Sequence, residues 1–173
     1  MTILEDVNQK VGQHENISEW CREHGIILRR QKLNVGDYII TPGTSVDTKQ
    51  GMQEVYSDIV SDHERFRAEC IRAQEDGTRL VILIENTDGL KTIEDVANWV
   101  NPRYVKWEKE NHFLLEAQKS GKFKKQRIPP SPVPVDRLQK MMEAMTAKYG
   151  VEWQFCTPEE SGERIFNILS EKG

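Results

Sequence analysis

Residues 79–85 read Arg-Leu-Val-Ile-Leu-Ile-Glu, five apolar side chains in unbroken succession between two charges. Successive side chains of a strand point to opposite faces, so a strand without polar alternation needs cover on both sides. The run is of strand length and shorter than a buried helix would need. It predicts the central strand of a sheet sandwiched between helices. At 173 residues the chain is long enough for one such core.

The flanking patterns supply the other layers. Residues 2–5, 26–30, 33–41, 44–49 and 151–155 have strand character, with a Thr41-Pro42-Gly43-Thr44 turn joining the third and fourth. Helices are expected over 17–24, with Asn16 as cap and Gly25 as stop, over 51–60, and over 62–76 between Asp62 and Gly77. Thr92 is placed to cap a further helix, and residues 103–117 are helical and strongly charged. Val135, Leu138, Met142 and Met145 recur at the spacing of a core-facing helix. Thr157-Pro158-Glu159-Glu160 is a capping box with proline at the first helical position, opening a helix over 158–170 that buries Ile165, Phe166 and Leu169. The expectation is α/β: a single domain over residues 1–173, with a mixed central β-sheet flanked by helices on both faces.

Composition narrows the function. A net charge of -4 and a pI near 5.7 argue against a histone-like coat, because sequence-independent phosphate binding draws on clustered Lys and Arg. Cys21, Cys70 and Cys156 have no metal-binding spacing and lie in apolar periodic segments, as buried reduced thiols do in a cytoplasmic protein. The four histidines are scattered, with no zinc pattern. No signal peptide or membrane span is evident, which predicts a soluble, cytoplasmic protein with no membrane partner.

The chemistry concentrates in Gly36-Asp37-Tyr38 and, ten residues on, Asp47-Thr48-Lys49. On a hairpin of 33–41 and 44–49, Asp47 and Lys49 share one face while Val46 and Thr48 take the other. Two carboxylates converging across it would make a hard-oxygen site for Mg²⁺ or Mn²⁺, with positions left for water and a substrate phosphate. Lys49 would orient or deprotonate that water, or shield charge on the phosphate. An Asp-x-Lys on an exposed strand is also common with no catalytic role; the surrounding residues decide.

Those surroundings are Asp6, the run Val35-Gly36-Asp37-Tyr38-Ile39-Ile40, Ser45-Val46-Asp47-Thr48-Lys49 and the apolar run ending in Glu85. In order and spacing they resemble the XPF-like nuclease domain of the PD-(D/E)XK superfamily, particularly small stand-alone versions from phages and prophages. Similar phage proteins share the segments 62–67, 99–103 and 148–156, so the resemblance spans nearly the whole chain. It implies a restriction-endonuclease-like fold and a Mg²⁺- or Mn²⁺-dependent endonuclease acting on branched or structured DNA in phage replication, repair or recombination. By position it implies Asp37 and Asp47 as metal-binding acids, Lys49 as the catalytic lysine, and Asp6 and Glu85 as supporting acids at the metal. The chain also departs from the family. Cellular relatives usually read Glu-Arg-Lys where Asp47-Thr48-Lys49 stands, and they carry an aspartate where this chain has Gln53, so Glu54 becomes the substitute. The first strand has Asp6-Val7-Asn8-Gln9 where an arginine is usual.

Arg65, Glu69 and Arg72 fall on one face of the 62–76 helix, opposite the stripe Phe66, Cys70 and Ala73. Arg65 and Arg67 are the candidate DNA contacts here, the alternative being a surface salt-bridge ladder. Residues 118–134 form a basic, Pro-rich loop expected to be mobile. Its Lys122, Lys124 and Lys125 either grip a phosphate backbone or belong to a solvated connection. No helix-hairpin-helix module is evident, so a homodimer, another protein or this loop would supply substrate choice. Two further readings stay open: a DNA-binding module that has lost cleavage, and a phage interaction protein that does not touch nucleic acid.

Overall fold

The apolar run is strand β5 (Arg79–Glu85), and Leu80 to Ile84 are at most 2% exposed in the computed structural model, which describes residues 1–40, 43–121 and 127–171. Each of these five side chains gains roughly 1.5–3 kcal/mol from burial. Strand β4 (Thr44–Lys49) pairs with β5 in parallel on one side and β6 (Glu152–Cys156) on the other. Beyond β4 come β3 (Tyr38–Ile40), antiparallel to it, then β1 (Thr2–Asp6), antiparallel to β3, and β2 (Ile27–Gln31), parallel to β1. The sheet order is therefore β2-β1-β3-β4-β5-β6. Only β3 runs against the rest. One edge of the sheet thus collects the C-terminal ends of β1, β4 and β5 and the chain entering β3.

Helices cover both faces, as β5 requires. Leu80, Ile82 and Ile84 pack with α2 (Met52–Tyr56), α3 (His63–Glu75) and α5 (Val135–Tyr149). Val46, Val81 and Leu83 pack with α1 (Glu15–Glu23) and α6 (Ser161–Ser170). Helix α4 (Pro102–Lys119) starts at Asn101, whose side chain accepts the Arg103 N–H. The Thr157 capping box forms on the short turn leading into α6. Cys21, Cys70 and Cys156 are buried free thiols. Among the described residues no helix is long and apolar enough to cross a membrane.

Several boundaries differ from the sequence reading, each for a physical reason. The strand expected over 33–41 shrinks to Tyr38–Ile40, because the polar groups of the preceding loop are taken by side chains. Leu33 N–H donates to Asp6, Gly36 N–H donates to Glu69, and the Asn34 carbonyl accepts from Arg72. Asp37 thus lies just before β3, and Thr41 and Pro42 of the turn lie outside the described residues. Asn16 does not cap α1; that position is His14, and the Asn16 amide reaches Ser161 Oγ at 2.7 Å and the Pro158 carbonyl on the neighbouring α6 end. The helix expected over 51–60 is α2 followed by a wider π turn, Ser57–Ser61. Thr92 caps no α-helix: Asp95 accepts the Lys91 and Thr92 N–H groups at the entry of a 3-10 turn, Glu94–Asn98. Helix α4 runs to Lys119, into the expected loop. Lys122, Lys124 and Lys125 lie outside the described residues, while on the loop's far side Trp107 Nε1 donates to the Pro129 carbonyl.

Candidate active site

The sheet edge carries a cleft lined by Asp6, Asp37, Asp47, Thr48, Lys49, Glu54, Arg65, Glu69 and Arg72 among others. Asp47 and Lys49 stand opposite Ile82 and Ile84 of β5, which puts them on the face covered by α3. There Lys49 Nζ lies 2.8 Å from Asp47 Oδ2 and 6.0 Å from the centroid of the Phe66 ring. The expected pairing of these two residues on one face is therefore present.

Asp37 reaches the same cleft from the other strand of the hairpin. Its backbone N–H donates to the Val46 carbonyl, and its Oδ2 accepts the Thr48 N–H at 2.8 Å and the Thr48 hydroxyl at 2.7 Å. Gly36 makes this approach possible. Its φ is +67°, and a Cβ there would collide with Ser45 Oγ and lie 3.0 Å from the Val46 carbonyl oxygen. Ser45 Oγ, in turn, donates to the Val35 carbonyl at 2.7 Å. The close strand approach is thus built from a glycine on one side and a small hydroxyl on the other.

The supporting acids have distinct positions. Asp6 is 7% exposed and lines the cleft, with Oδ1 accepting the Leu33 N–H and Oδ2 accepting from Asn8. Glu54 lines it too, and its Oε2 accepts the Gln50 N–H at 2.8 Å. Glu85, at the end of β5, lines an adjacent groove with Gln13, Gln50 and Trp99 instead. It faces buried His14 across 3.8 Å. Burial alone would lower the His14 imidazole pKa, but Glu85, Asp37 and Glu54 outweigh it and raise it.

Of the candidate DNA contacts, Arg65 is at the cleft and Arg67 is not. Arg67 turns away, donating to Tyr149 Oη and pairing with Glu64 one helical turn back. Arg72 lines the cleft alongside Arg65.

Three participants carried no assigned role in the sequence reading: Asp58, Glu69 and His14. Asp58 is 3% exposed and sits 2.9 Å from Lys49 Nζ, while its other oxygen accepts from Arg65. Ordinary helical spacing leaves Asp58 on the flank of the Met52, Val55, Tyr56 and Ile59 stripe, at the start of the π turn, and from there it reaches Lys49. Glu69 shared a helix face with Arg65 in the sequence, but its bond to Gly36 N–H is long-range and has no local signal.

The electrostatics follow from this crowding. Burial opposes a charge on Lys49, yet Asp47 and Asp58 overcome it and hold the ammonium strongly protonated. Burial also pushes the Asp47 carboxyl well above its ordinary value; Lys49 opposes this, while Asp37 and Glu69 add to it. Five carboxylates (Asp6, Asp37, Asp47, Glu54 and Glu69) face three cations (Lys49, Arg65 and Arg72) among the described lining residues. Asp47 Oδ2 is buried against the Lys49 ammonium. The surplus of negative charge among these lining residues suits a hard divalent cation. Among the described residues no three His, Cys, Asp or Glu side chains converge to hold a metal unaided.

A family model of the ERCC4 domain matches residues 7–168 of the chain. Among solved structures, XPF from Aeropyrum pernix superposes with a TM-score of 0.60 and 15% identity, covering 98% of this chain and 63% of that one. XPF from Aeropyrum pernix in complex with DNA gives the same TM-score at 16% identity, over 97% of this chain and 62% of that one. The chain thus spans about three-fifths of the length of these structures, and at such identity the likeness is one of fold. No curated protein matches the chain.

Proposed function

The chain belongs to the ERCC4 domain family, and from that premise we propose that it is a divalent-metal-dependent endonuclease acting on branched or structured DNA. The observation that carries this reading is the opening of Asp37, Asp47 and Lys49 onto one cleft at the sheet edge. A DNA complex among the structures of similar fold supports nucleic acid as the substrate.

In this reading Asp37 and Asp47 hold Mg²⁺ or Mn²⁺. An ion held there would supply a water of lowered pKa and positive charge beside the phosphate. Lys49 is kept as an ammonium by two carboxylates, so its role is to donate to the attacked phosphate and stabilise its charge rather than to remove a proton. Arg65 and Arg72, on the cleft wall, hold flanking phosphates. Asp6 pins the loop that delivers Asp37, Glu54 braces the start of α2, and Glu85 acts with His14 at the neighbouring strand end. Substrate choice is assigned to a homodimer, a partner protein or the basic 118–134 loop. A cytoplasmic setting in phage replication, repair or recombination rests on the sequence resemblance.

The test is cleavage of fork, flap, four-way junction and linear DNA with Mg²⁺ or Mn²⁺. Wild type should cut a branched substrate, and Asp47→Asn and Lys49→Ala should each lose at least about 100-fold, as removal of one transition-state donor typically costs. Binding without any cleavage by wild type would establish the inactive DNA-binding module instead.

A further inference from the structure

Lys49 and Arg65 come from different elements, yet both end on one side chain. Asp58 offers Oδ2 to Lys49 Nζ at 2.9 Å and Oδ1 to Arg65 Nη2. It is 3% exposed, on the π turn between α2 and α3. Its two partners differ in surroundings: the Lys49 side chain is 7% exposed and that of Arg65 is 66% exposed. Asp58 therefore links a buried cation at the floor of the cleft to a solvated one on its wall. Such an arrangement is costly for a merely structural carboxylate, because it takes a charge out of water in a widened, irregular turn.

Lys49 has a long, flexible side chain and, among the described residues, would otherwise have Asp47 as its only charged partner. An ammonium held by one carboxylate swings about it. Held also by a second carboxylate from another element, it has a fixed direction. We propose that Asp58 is a positioning residue for the cleavage reaction: it aims the Lys49 ammonium and, through its other oxygen, sets the distance of Arg65 from it. This rests on the endonuclease reading of the same cleft.

The test compares wild type, Asp58→Asn, Lys49→Ala and the double variant in single-turnover cleavage, with DNA affinity measured by fluorescence anisotropy. Asp58→Asn keeps the shape and removes the charge, and thermal melting of each variant confirms folding. The expected result is a cleavage rate about 10- to 100-fold lower for Asp58→Asn, with affinity changed less than about threefold and no further loss when Lys49 is already alanine. A residue that only stabilises the fold would multiply its loss with that of Lys49→Ala, and that outcome, or an undiminished rate, overturns the proposal. A second readout needs no activity: amine acylation followed by peptide mass spectrometry. Lys49 should label several-fold faster in Asp58→Asn than in wild type, and equal labelling also overturns the proposal. If wild type cleaves nothing, the endonuclease reading fails while the labelling comparison still decides whether Asp58 holds Lys49.

Discussion

A thiol in this protein is protected by the same burial that concentrates charge at the cleft. Burial foremost, with added repulsion from Glu69 and Asp47, pushes Cys70 up to about 12, and burial with the Glu85 and Glu160 charges does the same for Cys156. Cys21 is shifted in the same direction, again by burial first and by Glu5. Raising a thiol pKa lowers the thiolate fraction at any pH below it, and the thiolate is the reactive form. At pH 8 a disulfide reagent should therefore find no fast-reacting thiol in the native chain and three after unfolding. A fast native reaction at Cys70 would show that α3 is not seated on the sheet. These cysteines were legible as buried because they sit in apolar periodic segments. Asp37, Asp47 and Lys49 were legible because their types and spacing carry the chemistry. Asp58 was not, since nothing local distinguishes a carboxylate on the flank of an apolar stripe that turns inward from one that turns outward.

At the scale of elements, the site depends on a short loop that joins the sheet only at its last residue, Asp37, through Val46 and Asp6. Residues 33–37 are held by Asp6 from β1 and by Glu69 and Arg72 from α3. Strand propensity extends through this segment in the sequence, and long-range hydrogen bonds override it. The same kind of contact redirected Asn16 from capping α1 to bridging α6. Core strand β5, by contrast, matched its expected limits, because an uninterrupted apolar run leaves one way to bury itself. Gly36 is where the loop is most exposed to mutation. Gly36→Ala forces a side chain into a positive φ and against Ser45 and Val46, at a cost of about 2–3 kcal/mol. Denaturant titration should show that loss. Cleavage should fall as well, since Asp37 is the next residue. A variant with unchanged stability would mean that Asp37 is delivered by some other constraint than this close approach.

For the whole molecule, an acidic chain proposed to act on an acidic polymer meets an electrostatic problem, and the cleft sharpens it with five carboxylates against three cations among its described residues. Sheet order and direction, which bring these charges to one edge, follow from pairing across the fold and were beyond local sequence patterns. In the proposed reading, a divalent ion held by Asp37 and Asp47 would offset this repulsion, so affinity for DNA should itself depend on metal. In Ca²⁺, chosen to bind without supporting turnover, a labelled junction should bind at least about tenfold tighter than in EDTA, by anisotropy; one decade is 1.4 kcal/mol. Asp47→Asn removes a carboxylate assigned to the metal, so Ca²⁺ should strengthen its DNA binding less than that of wild type. Few cations line the cleft, so log K should fall with log salt at a slope of only about -2 to -3, near -0.9 for each phosphate neutralised. Equal affinities in Ca²⁺ and EDTA would separate DNA binding from the carboxylates. A steep slope would instead move the main contact to basic residues away from the cleft, of which the lysines of the 118–134 loop are the first to replace.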